Sequence, residues 1–222
     1  MNGRLIAICG FEGSGKDTVA TLLSHHGFVA VAFADTLKQA VASIFGWDYE
    51  LLKGCSVESR QWREKVDPYW ENELGIKGLT PRKVLQYIGT DVMRQHFHKD
   101  IWLLSLKKKM IQLLINHHVV VTDCRFPNEV DLIKELGGRV ILINRPLTTP
   151  AWLNLYDDIK ATYIHSGIEN EDLTLLADLM YERYQIHPAE TSLINYSGFD
   201  YTINNDGTLQ DLYDKIVQVL NL

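Results

Sequence analysis

The chain has 222 residues, 46% of them hydrophobic, which allows one substantial core with insertions on it. Lys plus Arg number 22 against 28 Asp plus Glu, a formal charge of −6 that excludes any general attraction to nucleic acid or anionic lipid. A polyphosphate ligand must therefore be met by a local cluster of donors, and the three dispersed cysteines, Cys9, Cys55 and Cys124, read as free thiols rather than a disulfide framework.

In chain order, Leu5 to Cys9 predicts a first strand, and Val19, Leu22 and Leu23 at helical spacing predict the helix after it. Phe28 to Phe33, Val119 to Thr122, Val140 to Ile143 and Tyr201 to Asn204 predict four more strands. Most are near-continuous apolar runs, as expected of strands covered on both faces of a parallel sheet. Val130, Ile133 and Leu136 predict a helix stopped by Gly137-Gly138, and Leu209, Leu212, Ile216, Val217 and Leu220 predict the last helix after the turn at Asn205 to Thr208. This alternation predicts a doubly wound α/β core, three layers about a five-stranded parallel sheet.

Two stretches are too long to be loops. Residues 34–100 read as a mostly helical, polar insertion with Arg60, Arg63, Lys65, Arg82, Lys83 and Arg94 among Trp62, Trp70 and Tyr87. Residues 146–186 read as a helical pair joined near Ser166-Gly167, rich in tyrosine and acid. The expected organisation is a core of 1–33, 101–145 and 187–222 with these two insertions. The first apolar run begins without a cleavable leader and no run approaches a membrane span, so the expected address is cytoplasmic.

Between the first strand and its helix lies Gly10-Phe11-Glu12-Gly13-Ser14-Gly15-Lys16-Asp17-Thr18. Glycines there let successive N–H groups turn inward, the helix start adds its dipole, and Lys16 places a charge where β- and γ-phosphates would sit. The pattern is that of a phosphate-binding loop, the alternative being a plain strand-to-helix turn with a surface lysine. It departs from the general pattern in having Asp17 where a Mg²⁺-binding hydroxyl is usual, with Thr18 one place later. The metal contact stays open among Thr18, Asp17 and water.

After the third strand, Asp123 at a strand's carboxyl end would face the ligand crevice, holding a metal-bound water or orienting the acceptor. The alternative is a helix N-cap ahead of Pro127. The planar fork of Arg125 suits a phosphate oxygen, as does that of Arg145 after the fourth strand. Gln86 and Arg94 stand two turns apart if Gly89 leaves their helix intact, one able to read a base edge and the other to clamp a monophosphate. Asp35 and Lys38 open a helix beyond the second strand and are either acceptor contacts or an N-cap and a surface charge. The pairs His25-His26 and His117-His118 read as solvated element ends, and His187 with Glu190 lacks a third ligand for zinc.

With these residues in place, the chain resembles the phage-type deoxynucleoside monophosphate kinases, a branch of the P-loop nucleoside monophosphate kinase group. The likeness runs through GSGKDT at 13–18, FADTLK at 33–38, LQYIGTDVMR at 85–94, VVVTDCRFPNE at 119–129, INRP at 143–146, HPAE at 187–190 and NNDGTLQDL at 204–212. It implies transfer of the ATP γ-phosphoryl group, with Mg²⁺, to a 5′-monophosphate. ATP would then lie on Gly10, Gly13, Ser14, Gly15, Lys16, Asp17, Thr18 and Asn205. The acceptor would lie on Asp35, Lys38, Arg82, Gln86, Thr90, Arg94 and Arg125, and the metal near Asp17, Thr18 and Asp123. Lys16, Asp123, Arg125 and Arg145 would serve the reaction. The second insertion would occupy the place of a lid, or serve as a dimerisation element of a homodimer. Competing readings keep the loop but change the acceptor, as in dephospho-coenzyme A or phosphomevalonate kinases, or make the protein an ATP-binding switch.

Overall fold

The computed structural model describes residues 3–11, 13–146, 153, 154, 156 and 192–222. Most of the helical pair expected over 146–186, together with His187 and Glu190, lies outside the described residues. The chain divides into two compact units, one of residues 4–30 and 117–222, the other of 1–3 and 31–116.

The first unit is built on a five-stranded sheet. Its strands are β1 (Leu5–Cys9), β2 (Phe28–Val31), β3 (His118–Val121), β4 (Arg139–Asn144) and β5 (Tyr201–Asn204), in the order β2-β3-β1-β4-β5. Ile6 pairs with Val120, Ala7 with Val140 and Leu142 with Thr202, all parallel. The expected strands are present, although β2 stops at Val31 because Ala32 enters a turn, its N–H donating to Asp35 Oδ2 at 2.9 Å.

Side-chain alternation sends Ile6, Ile8, Ile141, Ile143 and Ile203 to one sheet face. There they meet Val19 and Leu23 of α1 (Lys16–His25) and Leu212, Ile216 and Leu220 of α9 (Leu209–Leu220). Each such fully buried aliphatic side chain contributes about 1.5–3 kcal/mol. α9 starts at a capping box, Thr208 Oγ1 accepting from Asp211 N–H at 3.2 Å and Asp211 Oδ2 accepting from Thr208 N–H at 2.7 Å. Against β1 and β4 packs α8 (Pro127–Glu135), burying Val130 and Ile133 and ending where Gly137 takes a φ of 76°. The histidines expected as solvated ends divide: His25 and His117 are exposed. His26 meets the Tyr213 hydroxyl at 3.1 Å, and His118 Nδ1 accepts from Arg4 N–H at 2.8 Å.

The second unit is helical. It comprises α2 (Asp35–Phe45), α3 (Tyr49–Lys53), α4 (Val57–Glu64), α5 (Pro68–Leu74), α6 (Pro81–Gln86), a π-helix (Tyr87–Phe97) and α7 (Ile101–Leu113). Its core joins Leu37, Val41, Leu52, Leu79, Val84 and Trp102 to a cluster of rings. Phe45 stacks on Trp47 at 4.5 Å and meets the edge of Trp70 at 4.9 Å. The indole tips are satisfied: Trp47 donates to Asp67 Oδ2 at 2.7 Å and Trp70 to the Phe45 carbonyl at 3.0 Å. Asp67 also caps α5, accepting from Tyr69 and Trp70 N–H ahead of a helix that opens on Pro68.

Candidate active site

The loop from β1 to α1 depends on its glycines. Gly10, Gly13 and Gly15 have φ of 142°, 77° and 106°. A Cβ on Gly10 would lie 2.7 Å from Ser14 Oγ, and one on Gly15 would lie 2.6 Å from Asn205 Nδ2. Asn205, just past β5, donates to the Ser14 carbonyl at 2.8 Å and so braces the loop from the end of a second strand. Lys16 Nζ donates to the Gly10 carbonyl at 2.7 Å and to that of Phe11 at 2.6 Å, holding its charge over the loop. Ser14 Oγ is buried without a hydrogen-bond partner among the described residues. Such an orphaned hydroxyl in a glycine cradle with a cation beside it suits a phosphate oxygen. Asp17 and Thr18 are exposed on the first turn of α1.

Because β3 and β4 flank β1 in parallel register, their carboxyl ends bring Asp123, Arg125 and Arg145 to the same sheet edge as the loop. Asp123 is not the cap of α8. That position falls to Phe126, and the buried Glu129 closes the turn by accepting from Arg125 N–H at 2.8 Å and Phe126 N–H at 3.2 Å. Sequence reasoning passed over Glu129, although an acid three residues into a helix is a capping-box signal. It also passed over the approach of Cys9 to Cys124. Their hydrogen bond, with burial, raises the Cys124 thiol well above its ordinary pKa. Both cysteines line a cavity of about 430 Å³ that also touches Gly10, Arg125, Leu142 and Tyr196.

Apart from Arg125, the residues expected to hold an acceptor lie in the helical unit. Asp35 opens α2 without capping it, and its Oδ2 stands 3.8 Å from Lys109 Nζ. Half-buried Lys38 donates to the Lys53 carbonyl at 3.1 Å, at the end of α3. Beside it, burial and Asp35 are the leading causes of a raised Tyr49 pKa. Arg82 is engaged in an exposed pair with Glu64 at 2.9 Å. Gln86 is exposed at the end of α6, while Thr90 and Arg94 are half buried on the π-helix that continues it. Gly89 does not break this helix; the winding loosens instead, which the apolar spacing of the sequence did not reveal.

The family described as deoxynucleotide monophosphate kinase matches residues 64–152. A protein of Acanthamoeba polyphaga mimivirus, provisionally named a deoxynucleotide monophosphate kinase, is 32% identical over 228 residues, covering 98% of this chain and 96% of the relative. The chain belongs to the deoxynucleotide monophosphate kinase family. Within this kinase, the matched stretch carries Gln86, Arg94, Asp123, Arg125 and Arg145. The deoxynucleoside-5′-monophosphate kinase of Escherichia phage T5 is 42% identical over 57 residues, 26% of this chain and 22% of that protein. The deoxynucleotide monophosphate kinase of Escherichia phage RB69 is 26% identical over 141 residues, 63% of this chain and 44% of that protein. Among solved structures, TT1252 from Thermus thermophilus superposes with a TM-score of 0.46 at 22% identity, covering 100% of this chain and 98% of that one. Among the described residues, no helix of the kinase is long and apolar enough to cross a membrane.

Proposed function

We propose that this kinase transfers the γ-phosphoryl group of ATP directly to the 5′-phosphate of a deoxynucleoside monophosphate. An acceptor phosphate oxygen forms the new bond to γ-phosphorus as the bond to the β–γ bridging oxygen breaks, leaving ADP and a deoxynucleoside diphosphate. The observation that carries the donor side is the glycine cradle with the Lys16 ammonium across it and the Ser14 hydroxyl unpartnered within it.

Phosphoryl transfer asks for alignment and charge neutralisation more than for covalent chemistry by the protein. Lys16 leaves the loop carbonyls for the β- and γ-phosphates, while loop N–H groups and Asn205 keep the backbone in shape. Arg125 and Arg145 neutralise the moving group, and Asp123 orients what lies beside it. The acceptor is held by Asp35, Lys38, Arg82, Gln86, Thr90 and Arg94 together with Arg125. Mg²⁺ would be held by oxygen donors, with Asp17, Thr18 and Asp123 as the protein's contribution, and would supply neutralising charge at the phosphates. No cluster of three or more His, Cys, Asp or Glu forms a cage among the described residues, and Mg²⁺ characteristically relies on phosphate and water for the rest of its shell.

The test is ADP formation with MgATP and each of dAMP, dGMP, dCMP, dTMP and their ribose forms, beside Lys16→Ala. Stimulation by deoxynucleotides with the matching diphosphate appearing is the expected result. In Lys16→Ala, turnover should fall at least about a hundredfold with the circular dichroism spectrum unchanged. Slow ATP hydrolysis indifferent to every monophosphate would refute the proposal.

A further inference from the structure

The π-helix carries Tyr87 and Asp91, to which the roles above give no part. Its closing bond runs from His98 N–H back to the Met93 carbonyl, five residues earlier, and the winding extends over eleven residues. Such helices are rare, usually last one turn, and are frequent at functional sites. Here the winding is pinned from behind: the Trp102 indole donates to the Gly89 carbonyl at 2.9 Å in a buried bond. Leu37 of α2 also lies so close that a Cβ on Gly89 would meet its Cδ2 at 2.6 Å.

The consequence is a change of face. In an α-helix, residues five apart diverge by about 140°. With bonds from residue i to i+5 and about 4.4 residues per turn, residues four and five apart fall within about 50° of one another. Exposure follows the looser period: Gln86 and Tyr87 are exposed, then Asp91 and Val92, then Gln95 to Phe97, while Ile88 to Thr90 and Met93 to Arg94 turn inward. Asp91, a neighbour of Tyr87 in either winding, is thereby turned to the same side as Gln86. Tyr87 is 61% exposed, and none of these three side chains has a hydrogen bond or ion pair among the described residues. By contrast, Lys53, Arg82 and Lys109 in the same unit all have carboxylate partners.

Resting on the kinase reading above, we infer that Tyr87, Asp91 and Gln86 read the base of the acceptor and select guanine. A flat ring offers a base a stacking platform. A carboxylate accepts two parallel bonds from adjacent donors, which guanine presents at N1–H and N2–H, and the Gln86 amide then donates to O6. Adenine and cytosine would set a lone pair against the Asp91 carboxylate. Thymine offers one N–H flanked by carbonyls. A site built to satisfy a donor pair disfavours bases lacking it.

The experiment measures kcat/KM for the four deoxynucleoside monophosphates, the KM for ATP, and dNMP binding by calorimetry, in wild type, Asp91→Asn and Tyr87→Ala. Wild type is expected to prefer dGMP. Asp91→Asn should lower kcat/KM for dGMP at least about tenfold and that for dTMP under threefold, with the ATP KM unmoved. Tyr87→Ala should raise the KM for every acceptor about tenfold without altering the base ratio. All three side chains are exposed, so melting temperatures should hold. Transfer without guanine preference, or a preference that survives Asp91→Asn, overturns the base reading while leaving the kinase reading intact. Selective dGMP binding that Asp91→Asn abolishes, in a protein that transfers nothing, upholds the base reading and defeats the transfer reading.

Discussion

Lys16 already spans two carbonyls of its own loop, so on the proposed reading an arriving triphosphate would exchange one set of acceptors for a more strongly charged one. The neighbouring glycines are equally constrained. Gly15→Ala would put a methyl group against the Asn205 amide at a φ of 106°, so the variant should lose about 1–3 kcal/mol in urea unfolding and bind ATP more weakly by calorimetry. Glu129 makes a different case, because its carboxylate is buried and answers two backbone donors of the segment bearing Arg125. Glu129→Ala removes the carboxylate that both N–H groups donate to and is expected to cost about 1–3 kcal/mol, read as a lower denaturation midpoint. Of the residues expected from sequence, the phosphate loop was the most legible, since its glycines, lysine and strand-to-helix setting are contiguous. Glu129 and the Cys9–Cys124 approach were read less easily: the capping-box acid was masked by Asp123 as the competing cap, and the thiol pair joins β1 to the segment after β3, distant in sequence.

Among elements, α9 and the π-helix stand at opposite ends of legibility. α9 carries its apolar stripe, its turn and its Thr208 cap in one short stretch, and the predicted helix matches the observed one. Its flank titrates in a stated way. Hydrogen bonding from Lys215 lowers the Asp206 pKa from its ordinary 3.8, while Thr208 lowers that of Asp211. Both carboxylates therefore favour the fold above pH 3.8, and that contribution disappears as pH falls through their lower folded-state values. Carboxyl NMR titration should show both midpoints below 3.8, and Lys215→Ala should return Asp206 towards that value while leaving Asp211 low. The π-helix carries no comparable signal, because Leu85, Ile88, Gly89 and Val92 fit an α-helix equally well. Its winding is set from outside by Trp102 and Leu37. Gly89→Ala should consequently destabilise the helical unit by about 1–3 kcal/mol, visible as a lower melting temperature.

At the scale of the whole chain, the alternation of strands and helices was readable because parallel strands covered on both faces are apolar throughout. The helical unit was harder to read, since its order comes from rings that meet only after α2, α4 and α5 have packed. Those rings have an optical consequence. The sequence holds five tryptophans, and Trp47, Trp62, Trp70 and Trp102 all belong to the helical unit, while the sheet unit contains none among its described residues. Excited near 295 nm, the protein therefore reports chiefly on the unit that bears most of the residues proposed to hold the acceptor. A spectral shift on adding a deoxynucleoside monophosphate, larger than the shift with a non-hydrolysable ATP analogue, would let acceptor binding be followed by light alone, without added dye or label.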